Sequence, residues 1–578
     1  MLITPSRWEG GNYTKNEREV MTLESNGSGP TSERAGTAKH SSAMEAPCIL
    51  DLVEDQNRTH WVNYGTASRS TWFSLEELLV NEKAVFAKLS GPGSTLLMTK
   101  SKNSFKKLIE DASDYRPANV AEHPGWCGKS FVFGDGTIAS PKDHDEKIIV
   151  AFEINPKFAM AGTLDAWLTG VGRVVANQPL PLVMLAYAFV PALLRFIPAG
   201  IFNPQIELVG EPETGKSTLA VLAASVWAGD PDSDTGGGET WNRTLGSLDP
   251  LKVSHSDMLL MLDEVNMAGG NAREQADLIR AASFRFASTG TRERLAGPVM
   301  SSDVRMALLS TSNEALSQLI KASKTVLGAV SSRVVTINVS KASGVLDTVP
   351  DRYEDASEAA AELRKDCARN YAHPGRIFAA RLVEAAAEDE DKLRRQIAKW
   401  MAAFFEQLRQ RRGTDGTSER VKTVFAMIFA AGTLARRWGL LPEEWGGLTK
   451  SLLNVFDRME GRSVKTGGTA SSALERVKKY AREQGDAIVR VKTMSGPVSF
   501  KKFSGSPGYL LRRDGKKAVL IPSERFQLEF VDHKAMLQEL RRLGLAKTEG
   551  GKKPKLTVKT PSAICAEGRV YWILLGSD

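Results

Sequence analysis

Between an apolar run and a helix-forming run stands Gly210-Glu211-Pro212-Glu213-Thr214-Gly215-Lys216-Ser217-Thr218, inside IELVGEPETGKSTLA. The G-x-x-x-x-G-K-S spacing is that of a phosphate-holding loop between a strand and a helix. Its glycines let the backbone turn so that consecutive N–H groups and a helix N-terminus face an anion. Lys216 is expected to reach the β- and γ-phosphates of a nucleotide, and the Ser217 hydroxyl to ligate Mg²⁺. ATP and Mg²⁺ are therefore the expected cofactors.

Forty-seven residues beyond Lys216, MLLMLDE ends an apolar run in Asp263-Glu264. Asp263 would hold Mg²⁺ through water and Glu264 would polarise the attacking water. A buried strand followed by an exposed acidic turn is the plainer reading of the same residues. A further run, RMALLSTSNE, ends in Ser310, Thr311, Ser312 and Asn313. Asn313 could orient the lytic water, or could simply be a polar strand end. In AVSSRVVTINVS, Arg333 precedes another strand-like run. An arginine there could reach the γ-phosphate held by a neighbouring subunit, or form a surface ion pair.

The elements that would carry these residues alternate between strand and helix. β-type runs at Gln205–Gly210, Met258–Leu262, Val304–Ser310 and Val334–Val339 have helical stretches between them, which predicts a parallel sheet covered by helices. Upstream, ILDLVED, HWVNYGT, AVFAKLS and STLLMTK read as strands, Ser104–Ala112 as a helix, and Gly125–Ile138 as a hairpin turning at Gly134-Asp135-Gly136. Thr163–Phe196 is helical and apolar. Its most apolar part, Pro179–Leu194, is short for a membrane span and carries three prolines, so a buried helix is expected and no membrane contact. Ala356–His373, Arg376–Ala387, Lys392–Arg412 and Arg420–Trp438 read as helices of a lid. Asp532–Leu543 followed by a basic turn and β-type Lys555–Lys559 and Arg569–Leu575 has the order of a winged helix.

The resulting division is a disordered tail (1–47), an N-terminal mixed β-rich domain (48–145), an ATPase core with preceding helices (146–345), a helical lid (346–460), a linker and helix (461–500) and a basic winged-helix domain (501–578). With 578 residues, 42% hydrophobic and 25% charged, the chain has room for several such cores. The net charge of +8 is unevenly placed: residues 501–578 carry 16 Lys/Arg against 8 Asp/Glu, and the first 500 residues balance. A basic module on a neutral body points to a polyanionic partner such as nucleic acid, or to a solvated lysine-rich surface. The four cysteines lie far apart without a CxxC pair. They suggest neither zinc nor disulfides, and fit a cytoplasmic location. No secretory signal is read at the N-terminus.

These features resemble the AAA+ ATPases, and the context of Arg333 is similar to the arginine-finger motif of minichromosome maintenance helicases. The chain resembles still more closely the domain of unknown function 927, a family of mobile-element and primase-associated proteins. GWCGKSFVFGDGTI, LAYAFVPALL, LVGEPETGKSTLAVLAASVWAGD, ETWNRTLGSLDPLKVSHSDMLLMLDE, HPGRIFAARL, RVKTVFAMIFAAGTLARRWGLLP and RVYWILL carry that resemblance, from about Gly125 onward. It implies a hexameric, self-loading replicative helicase. It places a second sensor at Arg420, whose alternative is a helix-surface arginine. Arg292 and Arg294 become candidates for gripping single-stranded DNA in a pore, or charged residues of a surface loop. The segment Phe284–Arg305 is only modestly basic where the family carries a Gly/Arg-rich hairpin.

The expectation is an α/β protein with an AAA+ parallel-sheet P-loop core, an N-terminal β-rich domain, a helical lid and a C-terminal winged helix. It would be a ring-forming DNA helicase or replication-initiation ATPase acting on single-stranded or forked DNA, with a primase or another replication protein as partner. Arg541, Arg542, Lys552, Lys553 and Lys555 are the DNA contacts expected in the terminal module. Two rivals remain: a DNA-bound ATP switch in a regulatory or defence system, and a P-loop motor acting on protein.

Overall fold

The computed structural model describes residues 47–576 except 91–98, 143–146, 199–201, 291–302, 321–329, 331, 341–343, 411–418, 460–472, 492–505, 514–515, 531–532, 543, 548, 550–556, 562–563 and 565–567. The expected tail, save its last residue, and the Gly461–Ser471 linker fall outside these residues.

Near the N-terminus, Cys48–Glu54, His60–Thr66 and Arg69–Ser74 form an antiparallel meander, with Arg116–Pro117 parallel to the first strand. Ala84–Ser90, expected as a strand, lies within the helix Glu82–Ser90. Val85, Phe86 and Leu89 are buried there beside Phe73 and Phe105. That spacing is a helical stripe; a run so short does not distinguish the two periods. The hairpin at Gly125 is three-stranded (Gly125–Cys127, Ser130–Val132, Ile138–Ala139) and turns through Gly136, with φ +82°. Its Phe131 and Phe133 are buried in the same cluster as the central body, not with the N-terminal meander.

The central sheet contains β1 (Gln205–Val209), β2 (Glu239–Thr240), β3 (Leu259–Asp263), β4 (Ala307–Ser312) and β5 (Val334–Asn338). All pairings are parallel, in the order β2-β3-β4-β1-β5. Four of these strands match the four expected runs, with ends shifted by a few residues. The two-residue edge strand β2 is additional. Because helices cover both faces, the strands are almost continuously apolar, yet alternation persists. Leu259, Met261, Ala307 and Leu309 join one hydrophobic cluster, while Leu260, Leu262 and Leu308 join another on the opposite face. Glu207 of β1 is buried and accepts hydrogen bonds from Leu316 N (2.8 Å) and Thr336 Oγ1. Burial pushes its carboxyl above the ordinary value, against the pull of those two donors.

The first face is covered by helices from both sides of the sheet in sequence. They are α1 (Leu164–Val175), α2 (Pro179–Ala188), α3 (Lys216–Ala224), α5 (Ala356–Arg369), α6 (His373–Arg409), α7 (Glu419–Arg437) and α8 (Leu448–Met459); α4 (Ala272–Ala287) packs on the second face. All seven bury their apolar side chains in one cluster. The apolar Pro179–Leu194 run is a bent pair, α2 and Val190–Leu193, not one helix. Pro191 lacks an N–H, and its ring crowds the carbonyl four residues back, which stops α2. No single described helix is long and apolar enough to cross a membrane, and the bent pair lies buried among the other helices. The two expected helices Arg376–Ala387 and Lys392–Arg412 are the halves of α6, broken at Asp389 (φ −163°, ψ 93°). The Asp389 carboxylate accepts from Lys392 N at 2.8 Å and so caps the second half.

Beyond the linker, α9 (Ala473–Glu483) and α10 (His533–Arg542) share a core with a six-stranded sheet. Its strands are β6 (Val489–Val491), β7 (Tyr509–Arg513), β8 (Lys516–Pro522), β9 (Ala546–Lys547), β10 (Val558–Lys559) and β11 (Arg569–Gly576). The order is β6-β7-β8-β11-β9, with β10 also pairing β11. The helix-then-strand order expected near the end is present in α10, β10 and β11, within a larger sheet than the sequence suggested, with β9 additional.

Candidate nucleotide-binding site

Every residue of β1 is buried, and the strand delivers the chain to Gly210. A Cβ at Gly210 would lie 2.2 Å from the Val339 carbonyl oxygen, so only glycine fits between β1 and the end of β5. Glu213 (φ +63°) and Gly215 (φ +87°) turn the backbone through left-handed conformations, and α3 starts at the next residue. This places a helix N-terminus at the loop, where an anion is favoured.

Lys216 folds back along the loop. Its Nζ donates to Gly210 O (2.8 Å) and Glu211 O (2.7 Å), with Thr214 Oγ1 at 3.4 Å. Burial lowers its pKa from the ordinary lysine value, and the nearby Asp263 carboxylate opposes that shift. Ser217 Oγ donates to Asp263 Oδ1 at 3.0 Å. The same oxygen accepts from Thr311 Oγ1, which in turn accepts from Glu264 N at 3.1 Å. Thr311 therefore ties the tip of β4 to both acidic residues at the tip of β3. Glu264 is exposed and left-handed at φ +57°, a strained conformation of the kind held at working sites.

The sheet order explains this convergence. With β4 inserted between β1 and β3, the ends of three parallel strands bring Gly210, Asp263-Glu264 and Thr311–Asn313 to one edge. Glu264 and Thr311–Asn313 there line a cavity of about 800 Å³. Thr214, Gly215, Lys216, Ser217, Thr218, Glu264 and Asn313 all face it, together with Pro212 and Glu213. Ser217 and Asp263 suit Mg²⁺, which takes one or two protein oxygens and fills its shell with phosphate and water.

Three contributors went unread in the sequence. Arg364 of α5 lines the cavity and donates from Nε to Thr218 Oγ1 (3.1 Å) and from Nη1 to Asp234 O (3.3 Å). The segment Gly344–Val349 closes another side, with Val174 and Pro181 of the helices before the loop. Trp241, just after β2, is buried and donates from N to Asp263 O (3.1 Å) and from Nε1 to Ser310 Oγ (2.9 Å). Trp241 lay in a stretch that carried the family resemblance, and Arg364, Val174 and Pro181 in stretches read only as helix; Gly344–Val349 lay in none.

Other expected residues sit elsewhere. The Arg333 guanidinium lies over the Phe284 ring at 4.6 Å and that of Arg420 over Phe202 at 5.0 Å; neither lines the cavity. Burial, and then the charge of Arg420, lower the pKa of Arg333, so the two cations share one region. Arg541 is exposed in the last turn of α10, and Arg542 follows it there. Arg292, Arg294, Lys552, Lys553 and Lys555, and the side chain of Arg542, lie outside the described residues.

The model of one protein family, described as Domain of unknown function (DUF927), matches residues 54–279. The match starts well before Gly125, where the sequence resemblance was first read, and includes most of the N-terminal meander, the Gly210–Thr218 loop and the Asp263-Glu264 tip. A comparison with curated proteins finds no match. Among solved structures, one described as "SCCmec type IV Cch - active helicase" is similar at 14% identity and a TM-score of 0.49, covering 92% of this chain and 93% of that one. Another, the apo A form of the NrS-1 C-terminal region, is similar at 10% identity and a TM-score of 0.25, covering 91% of this chain and 96% of that one. Scores this low transfer neither fold nor activity, so over residues 54–279 the chain is similar to DUF927, and its chemistry rests on the residues around Lys216.

Proposed function

We propose that this chain is an AAA+-type ATPase that couples ATP hydrolysis to movement along, or opening of, DNA. The observation that carries the reading is the meeting of Lys216, Ser217, Thr311, Glu264 and Asn313 around one cavity from three neighbouring strand ends, with Asp263 hydrogen-bonded to Ser217 and Thr311.

In this reading the loop amides and the start of α3 hold the triphosphate. Lys216 exchanges its two carbonyl contacts for phosphate oxygens. Bound Mg²⁺ would neutralise charge on the β- and γ-phosphates, held by Ser217 and, through water, Asp263. Thr311 keeps Asp263 and the Glu264 backbone in register, so that the Glu264 carboxylate can polarise water while Asn313 orients it. Arg333, which does not line its own cavity, suits a role in a neighbouring subunit of a ring, and Arg420 beside it would work at that same boundary. The excess positive charge of residues 501–578 supports a nucleic-acid partner, with Arg541 on its exposed helix end.

ATP hydrolysis measured with and without single-stranded DNA, and strand displacement on forked duplexes of both polarities, test the reading. Hydrolysis that DNA fails to stimulate would remove DNA as the track. Stimulation without displacement on either fork would leave a DNA-bound ATP switch.

A further inference from the structure

Gln178 is a lone amide in an apolar corner. It is 2% exposed between Val175 and Leu180, both buried, at the turn from α1 into α2. A buried amide is costly unless its donors and acceptor are used, and Gln178 directs them at one short stretch of backbone. Its Nε2 donates to Thr348 O at 2.7 Å, with Thr348 Oγ1 at 3.3 Å. Its Oε1 accepts from Asp347 N at 2.8 Å and from Thr348 N at 3.4 Å. From the other direction, Arg458 of α8 donates to the Asp347 carboxylate.

The segment so fastened is the one that walls the cavity. Val345 lies against the phosphate loop, where a Cβ on Gly215 would come within 2.7 Å of its side chain. Val174, four residues before Gln178, and Pro181, three after it, line the same cavity. Apolar faces from Val174, Pro181, Val345 and Leu346, interrupted by backbone polar groups, make a wall of the kind that receives a heterocycle. The phosphate loop supplies nothing for that part of a nucleotide.

We propose that Gln178 is a positioning residue for the nucleobase. By fixing Asp347 and Thr348 from behind, it shapes the wall on which the base rests, and so sets how much of the affinity comes from base instead of phosphate. The inference depends on the nucleotide reading of the cavity given above.

The test uses the full chain and two ligands, Mg-ATP and Mg-tripolyphosphate, the second carrying phosphates without a base. Gln178→Ala is expected to weaken ATP binding about tenfold, the scale of leaving buried backbone partners unsatisfied, with tripolyphosphate inhibition unchanged. Arg458→Ala, which frees Asp347 from the opposite side, should move ATP in the same direction and again spare tripolyphosphate. It also serves if Gln178→Ala does not fold. Unchanged ATP affinity in the variant read overturns the proposal, as does an equal loss for both ligands. Lys216→Ala separates the two readings: it should lose both ligands, and if it binds both like wild type, the nucleotide assignment of the cavity fails instead.

Discussion

Ser217 and Asp263, 46 positions apart, are joined by a 3.0 Å hydrogen bond from hydroxyl to carboxylate. That contact sets the first turn of α3 against the tip of β3. It brings two hard oxygens together from segments far apart in the sequence.

The two ends of the site should fail differently. Lys216→Ala is expected to abolish nucleotide binding. Glu264→Gln should bind normally and turn over roughly 10² times more slowly, the scale of losing a positioned base. Binding and steady-state hydrolysis on the same preparations decide it; normal turnover in Glu264→Gln would mean another group activates the water.

Thr311 offers a sharper probe, since its hydroxyl serves both Asp263 and the Glu264 backbone. Thr311→Val keeps the shape and removes both bonds, at a cost of about 1–3 kcal/mol in stability. Its kcat should fall by about tenfold or more, while Thr311→Ser, which keeps the hydroxyl, should stay near wild type. Equal kcat for the Val and Ser variants would reduce Thr311 to a strand residue.

Asp257 carries a pH signature. It is fully buried, left-handed (φ +56°), and accepts from Trp126 N at 3.0 Å, and its carboxyl is raised from 3.8 to about 7, chiefly by burial. Arg305 and Arg195 oppose that shift, while Asp303 adds to it. The unfolded chain releases this proton near 3.8 and the folded chain only near 7. The native state therefore loses stability as pH rises between those values, by about 4 kcal/mol at most. Glu122, raised to about 7 by burial and by Asp55, Glu76 and Glu77, acts with the same sign. Asp257→Asn, which tolerates the left-handed backbone, should gain on wild type in melting temperature between pH 5 and pH 8. A constant difference across that range would show Asp257 ionised throughout.

Arg333 should act across a subunit boundary. Arg333→Ala and Lys216→Ala are each expected to be inactive. Mixed, they should recover part of the hydrolysis, because some boundaries would pair an intact loop with an intact arginine. Lack of recovery in co-assembled particles argues against action in trans, and full activity of Arg333→Ala alone ends the idea.

The residues around the cavity were legible in the sequence wherever they fall in a local pattern. The phosphate loop needs glycine at 210 and 215 for close approach and a left-handed turn, and β3 must run apolar up to its acids, so these showed at once. Ala84–Ser90 misled because a seven-residue apolar run fits either period. The polar end of β4 was legible but pointed to Asn313 instead of Thr311, and Arg364 and Gln178 gave no local signal: these three work through partners 47, 146 and about 170 residues away, and their types are common everywhere. The division into core and lid was drawn from a change in composition. The burial of α1, α2 and α3 with α5 through α8 in one cluster depends on contacts that composition does not encode.

That common cluster bears on how force could leave the cavity. An outer helical layer that moved as a flap would have to tear apolar surface from α1, α2 and α3. Exposing even about 400 Å² would cost roughly 10 kcal/mol. Close-packed side chains slide past one another far more cheaply than they part. A stroke begun at Lys216 would therefore resemble meshed gears more than a hinge. Small displacements of α3 would be passed through the packing to α6, whose 37 residues, about 55 Å of helix, break at Asp389 and could carry its two halves by different amounts.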